Sequence, residues 1–223
     1  MDANIQAAAA RLVRKLKKGG FSLTVAESCT GGLLASTLTD ITGASTWFRQ
    51  SWVTYANEAK IEELGVNPED LNARGAVSAK VAIQMAQGAL KGAKADYAIS
   101  VTGIAGPTNE GSSKPVGTVY VGIASKFWAE AKRTQIGGTR AENKNGFVHF
   151  ALRTAMECFE AAMNRELQKT LRLKWPNLKL SGRRLNWRLS ASDGIKKLAK
   201  TPLGRTRLGL KTMKITLMKS AWK

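Results

Sequence analysis

Ala26-Glu27-Ser28-Cys29-Thr30-Gly31-Gly32 is the segment on which the reading of this chain turns. Before it, Leu23-Thr24-Val25-Ala26 has the composition of a strand; after it, Leu33-Leu34-Ala35-Ser36-Thr37-Leu38 reads as the first turns of a helix. Two hydroxyls, a thiol and two glycines thus stand where a strand hands over to a helix. Free backbone N–H groups and the positive end of the helix dipole point out of such a junction. Anions and developing oxyanions are stabilised there, and glycine lets a ligand approach the backbone closely. The junction can supply a nucleophile and an oxyanion site together, and by itself it proves neither.

On either side of the junction, strand-like and helix-like segments alternate. The spacing predicts a helix over 4–18, a strand over 22–27 and a helix over 30–39, then a turn-rich connection over 40–48. A strand follows over 51–56 and a helix over 57–64 with Asn57 as its N-cap. Pro68 opens a single helical turn, and Ser78 caps a helix over 79–91 whose Val81, Met85 and Ala89 share a face. Residues 96–102 form a strongly apolar strand, and 103–115 a loop rich in glycine and proline. Two strands over 116–125 and 127–135 can form a hairpin, and a long helix over 140–164 ends the series. The alternation predicts an α/β fold with a mixed sheet over residues 1–164.

The chain has 223 residues and a formal net charge of +19, but the charge is not spread evenly. Residues 1–164 carry 18 Lys and Arg against 14 Asp and Glu; residues 165–223 carry 17 against 2. This step marks a basic C-terminal extension as distinct from the domain. No run reaches the ~18 apolar residues of a membrane span. The N-terminal segment has its cations after its apolar residues, the reverse of a signal peptide, so a cytoplasmic location is expected. Two cysteines, Cys29 and Cys158, offer no disulfide framework.

One histidine, His149, falls inside the last helix beside Val148, Phe150 and Ala151, which reads as a partly buried helix position rather than a member of a Ser-His-Asp triad. One His and two Cys at these spacings match no zinc-ligand pattern. A serine nucleophile would need another base, and lysine serves when burial lowers its pKa. Lys60, one turn after Asn57 and following Tyr55, is a candidate, although spacing alone equally describes a solvated helix lysine. Thr102-Gly103-Ile104-Ala105-Gly106-Pro107 also follows an apolar strand; its glycines can open N–H groups to a ligand, or form an ordinary loop. Arg140, after Gly137-Gly138-Thr139, can clamp a phosphate or lie on the surface. If the strands are parallel, their C-terminal ends bring Ser28, Tyr55 and the 102–107 loop to one crevice.

Five ordered segments carry a resemblance: Ala26 to Gly32, Val53-Thr54-Tyr55-Ala56-Asn57-Glu58-Ala59-Lys60, Gly75-Ala76-Val77-Ser78, Thr102 to Pro107, and Lys114-Pro115-Val116-Gly117-Thr118-Val119. Over residues 5–160 the chain closely resembles the CinA C-terminal domain family, which includes nicotinamide-nucleotide (NMN) amidohydrolases. The resemblance implies a three-layer α/β/α sandwich, a homodimer or larger homo-oligomer, and hydrolysis of the NMN carboxamide to nicotinate mononucleotide and ammonia without metal or cofactor. It implies Ser28 as nucleophile, Lys60 as base and Tyr55 as the residue that orients them. Backbone N–H groups around Cys29, Thr30, Gly31 and Gly32 would form the oxyanion site. Asn57, Thr102, Gly103, Ala105, Gly106 and Arg140 would contact the nucleotide. Cys29, beside Ser28, stays open as an alternative nucleophile.

The chain departs from the family pattern at Ala79, where a Glu usually follows Ala-Val-Ser and could complete a capping box. It departs again over Asn143-Lys144-Asn145, where a second arginine usually stands and whose loss would alter phosphate binding. Residues 165–223 have no counterpart in the family. Their cations and Trp175, Trp187 and Trp222 could bind nucleic acid. Their broken periodicity and scarcity of acids favour an incidental extension instead. A non-catalytic nucleotide-binding protein is the remaining alternative function.

Overall fold

Five strands form one sheet in the computed structural model, which describes residues 2–109 and 111–174. They are β1 (Leu23–Glu27), β2 (Phe48–Val53), β3 (Tyr97–Gly103), β4 (Thr118–Ser125) and β5 (Ala129–Gln135), in the order β2-β1-β3-β4-β5. β1 pairs in parallel with both β2 and β3, while β4 runs antiparallel to β3 and β5, so the sheet is mixed. The helices are α1 (Ala3–Gly19), α2 (Leu33–Thr39), α3 (Asn57–Leu64), α4 (Pro68–Arg74), α5 (Ala79–Ala93) and α6 (Arg140–Lys174). Among the described residues no helix is long and apolar enough to cross a membrane.

Strand register shows what each face of the sheet is made of. Leu23, Val25 and Glu27 align with Tyr97, Ile99 and Val101, and these with Ser125, Ile123 and Val121. Ala26, Ala98, Ser100, Gly122 and Ala124 take the other face and are all small. Onto this shallow bed α5 packs Val81, Met85, Ala86 and Ala89. The Ser100 hydroxyl donates to the Ala82 carbonyl, and a Cβ at Gly122 would fall 2.2 Å from that same oxygen. On the opposite face, Lys132, in register with Val121, bonds Glu157 of α6 at 3.0 Å. Phe21, just past α1, meets the Tyr97 ring edge-on at 5.4 Å. Helices α3–α5 therefore cover one face, and α1, α2 and α6 as far as Cys158 cover the other. This is the three-layer α/β/α sandwich that the family resemblance implies.

The connection β1–α2–β2 uses one face, and β2–α3–α4–α5–β3 returns on the other. A chain that moves one way across a parallel sheet and then back places its crossovers so, because each is right-handed. The reversal lies at β1, where ligand crevices form in such sheets. At the far end of β1, the Ser22 N–H and hydroxyl both donate to the Asp96 carboxylate at 2.7 Å, and the Asp96 N–H donates back to Ser22 Oγ at 3.1 Å. This clasp holds the starts of β1 and β3 in register.

Several boundaries differ from the sequence reading. β2 begins at Phe48 and ends at Val53 rather than spanning 51–56, because Phe48 takes the register position opposite Leu23. Asn57 is not the N-cap of α3: extended Ala56 holds that place and Asn57 is the first helical residue. α4 runs to Arg74 under a cap from Asn67. Ser78 caps α5, its hydroxyl accepting from Val81 N–H. Ala79 is thus the first residue of α5, two short of the position from which a side chain closes a capping box, so none is lost there. α6 continues past Asn164 to Lys174.

The chain divides into two compact units, Met1–Cys158 and Phe159–Lys223. The first holds the sheet. In the second, the described residues continue α6. Both readings of the tail's aromatic and basic residues from Trp175 onward lie outside the described residues.

Gly88 of α5 tests the packing of α5 on α3, since a Cβ there would meet the Leu64 carbonyl oxygen at 1.9 Å. Gly to Ala inside a helix normally stabilises by ~1 kcal/mol. Gly88→Ala should instead lose about 1–3 kcal/mol, measured as a lower thermal unfolding midpoint; a raised midpoint would contradict the packing.

Candidate active site

The C-terminal ends of β1, β2 and β3 point the same way, and short hydrogen bonds lock the residues immediately beyond them. Thr54 N–H, just past β2, donates to the Glu27 carbonyl at 2.9 Å; Ser28 N–H donates to the Val101 carbonyl at 3.0 Å. Ser28 is therefore held between the ends of β2 and β3, and it is half-buried.

The turn after Ser28 is set by Glu27. Its carboxylate is fully buried and accepts from the N–H groups of Gly32 at 3.1 Å, Leu34 at 3.0 Å and Ala35 at 2.8 Å. Gly31 N–H closes the turn onto the Ser28 carbonyl at 3.1 Å. Gly31 and Gly32 have φ of +62° and +93°, a conformation that side chains disfavour. Two of the donors expected for an oxyanion, those of Gly31 and Gly32, are therefore engaged within the protein. Thr30 N–H has no acceptor among the described residues, and neither does the buried Thr30 hydroxyl.

Lys60 is the clearest departure from an ordinary helix lysine, being 1% exposed. Its Nζ donates to the carbonyls of Thr54 and Tyr55, each at 2.9 Å, and of Ala56 at 3.3 Å. Burial pulls its pKa down to about 8. Because Thr54 N–H is bonded to the Glu27 carbonyl and the Thr54 carbonyl to Lys60, the ammonium lies at the same end of β1 as Ser28. The Cys29 thiol is 6% exposed, and burial pushes its pKa up to about 12. Such a thiol is protonated near neutrality and a poor nucleophile.

α6 closes the third side. Arg140 Nη2 donates to the Tyr55 hydroxyl at 2.8 Å and Nη1 to the Gly106 carbonyl at 2.6 Å. Asn143, fully buried, donates from Nδ2 to the carbonyls of Ala105 and Gly138, both at 3.0 Å. The helix begins in a capping box: Thr139 N–H and hydroxyl donate to the Glu142 carboxylate at 2.8 Å, which holds that carboxyl below its usual range.

The structure thus brings Ser28, Cys29, Thr30, Lys60, Tyr55, Gly106 and Arg140 to one end of the sheet. Thr102 faces the α5 side, its hydroxyl donating to the Ala76 carbonyl at 2.9 Å, and Asn57 is exposed at the start of α3. Gly103 ends β3 against β4, where a Cβ would lie 2.6 Å from the Thr118 carbonyl oxygen. His149 is half-buried on α6. Sequence reasoning gives no role to Glu27 or Asn143. Glu27 stands in view inside the key segment, but a strand residue that caps the next helix follows no local capping pattern.

A model of the CinA C-terminal domain matches residues 5–159. The nicotinamide-nucleotide amidohydrolase PncC of Escherichia coli is 42% identical over 159 residues, covering 71% of this chain and 96% of that protein. A CinA-like protein of Chlorobium limicola is 50% identical over 147 residues, but there the match spans only 34% of the relative's length. The same holds for a competence-damage inducible protein of Caldicellulosiruptor saccharolyticus, 49% identical over 141 residues and matched over 34% of its length. Among solved structures, the competence/damage inducible protein CihA of Agrobacterium tumefaciens superposes with a TM-score of 0.68 at 38% identity, covering 70% of this chain and 96% of that one.

Removing the Glu27 carboxylate strands three buried or half-buried N–H groups. Glu27→Ala should cost at least about 2 kcal/mol, read from denaturant unfolding; a change below half of that would show that the cap is not structural.

Proposed function

The chain belongs to the CinA C-terminal domain family, and on that premise we propose that it hydrolyses the carboxamide of nicotinamide mononucleotide to nicotinate mononucleotide and ammonia. The PncC relative, matched over 96% of its length, supports the substrate. The observation that carries the chemistry is Lys60, a lysine 1% exposed beside the serine junction with a pKa near 8.

In this reading the neutral Lys60 amine takes the Ser28 hydroxyl proton as Oγ attacks the carboxamide carbon. The tetrahedral oxyanion is met by the Thr30 N–H. Lys60 then hands its proton to the departing nitrogen, the C–N bond breaks, and ammonia leaves. Water, deprotonated by the same lysine, attacks the resulting Ser28 ester; Lys60 returns that proton to Ser28 Oγ as the ester bond breaks and the carboxylate leaves. Tyr55 contributes twice: its carbonyl holds Lys60, and its hydroxyl is fixed by Arg140. Cys29 serves as packing. The homo-oligomer implied by the resemblance belongs to the same proposal.

The test is ammonia release from NMN. Ser28→Ala should reduce kcat by about a thousandfold or more, while Cys29→Ala should leave most of it. Full activity in Ser28→Ala would remove the serine from the mechanism.

The base must be unprotonated to act. kcat/KM should therefore rise about tenfold per pH unit below 8 and level off above. Lys60→Arg, charged at every accessible pH, should be inactive throughout. A flat profile between pH 6 and 9 would exclude Lys60 as the base.

A further inference from the structure

Thr54 serves the chemistry proposed above only through its carbonyl, which accepts from Lys60 Nζ at 2.9 Å. Its side chain is 1% exposed, and its hydroxyl has no hydrogen-bond partner among the described residues. A buried hydroxyl left without a partner costs free energy that valine, of nearly the same shape, would not. Such a group beside a nucleophile calls for a reason.

Strand register supplies one. Glu27 aligns with Val53 on one side and with Val101 on the other. The bonds from Thr54 N–H to the Glu27 carbonyl and from Ser28 N–H to the Val101 carbonyl carry both ladders one residue further. Thr54, Ser28 and Thr102 therefore form a row across the ends of β2, β1 and β3, on the α5 face. Trp52 packs against the α5 cluster while Val53 approaches Gly32 at the start of α2, so alternation returns Thr54 to the side of Trp52. Ala26, in register with Trp52, precedes Ser28 on that face, and the Thr102 hydroxyl reaches the Ala76 carbonyl ahead of α5. Lys60 approaches the row from α3, on the same face.

The two neighbours of Ser28 in this row are not equivalent. Thr102 gives its proton to Ala76, whereas the proton of the Thr54 hydroxyl is uncommitted. Neighbouring strands lie about 4.8 Å apart, so rotation about χ1 brings hydroxyls on in-register residues within hydrogen-bond reach. We propose that Thr54 positions the nucleophile, its hydroxyl donating to Ser28 Oγ as the serine gives its own proton to Lys60. The donation turns Ser28 Oγ toward the base and stabilises negative charge on that oxygen, as it attacks and again as the ester breaks. Thr54 itself loses no proton. One residue thus holds the base by its carbonyl and the nucleophile by its hydroxyl. The proposal rests on the amidohydrolase reading for the reaction it serves.

The experiment compares the full chain with Thr54→Val and Thr54→Ser in three measurements: ammonia release from NMN, thermal unfolding, and labelling of Ser28 by an alkyl fluorophosphonate, which bonds an activated serine with loss of fluoride. Thr54→Val should lower kcat about tenfold or more while KM and the shape of the pH profile stay unchanged. It should slow labelling to a similar degree, yet unfold at the same or a higher temperature. Thr54→Ser should recover most of the rate. Undiminished kcat in Thr54→Val would overturn the proposal. So would a displaced pH profile, which would assign the hydroxyl to Lys60, or a lowered unfolding midpoint, which would make its role structural. If the unmodified chain releases no ammonia, the amidohydrolase reading fails and labelling decides the role of Thr54: a rate slowed in Thr54→Val and restored in Thr54→Ser supports it, whereas equal rates or no labelling of Ser28 overturn it.

Discussion

A buried carboxylate is costly unless its oxygens are matched by donors, and at Glu27 three backbone N–H groups and the start of α2 supply the match. This interaction ties the end of one strand to the beginning of the next helix across a turn of a few residues. Ser28 is the residue caught in that turn. Its direction is thus a consequence of a contact made by its neighbour rather than of any bond of its own. Because the start of α2 already holds an internal carboxylate, little of its positive end remains for a bound ligand. The remaining positive charge at the site comes from the side chains of Lys60 and Arg140.

Lys60 is subject to opposing influences. Burial favours the neutral amine, whereas three carbonyl acceptors favour the ammonium. Burial is the largest influence and leaves the pKa at about 8, which suits a group that must take up a proton and release it within one turnover. The same three carbonyls belong to the segment leading from β2 into α3, so the lysine shapes the loop that carries Tyr55 while being held by it.

The layered fold is legible because β1 and β3 are buried on both faces and read as apolar runs bounded by turns. β2 reads three residues late because it is an edge strand whose Arg49, Gln50 and Ser51 are exposed, so burial imposes no pattern on it. The end of α6 escapes the sequence because nothing beyond Asn164 sustains a period. At the site, the order of segments predicts which loops meet, since parallel strands bring their ends together. Which side chains do the holding is not legible. Helical spacing cannot say that Lys60 turns inward, and the Glu27 cap reaches forward five to eight residues from a strand. Contacts such as Arg140 with Tyr55 join residues far apart in the chain and leave no local signature.

The Ser22–Asp96 clasp and the Phe21–Tyr97 contact lie at the opposite end of the strands from Ser28. Fold maintenance and ligand handling are in this way assigned to the two ends of the same strands, separated by the length of β1. Substitutions at one end have few shared partners with those at the other and should combine additively. A lineage, or an engineer, can therefore alter thermal tolerance at the Ser22 end while leaving substrate preference untouched, or reshape the Ser28 end on an unchanged frame.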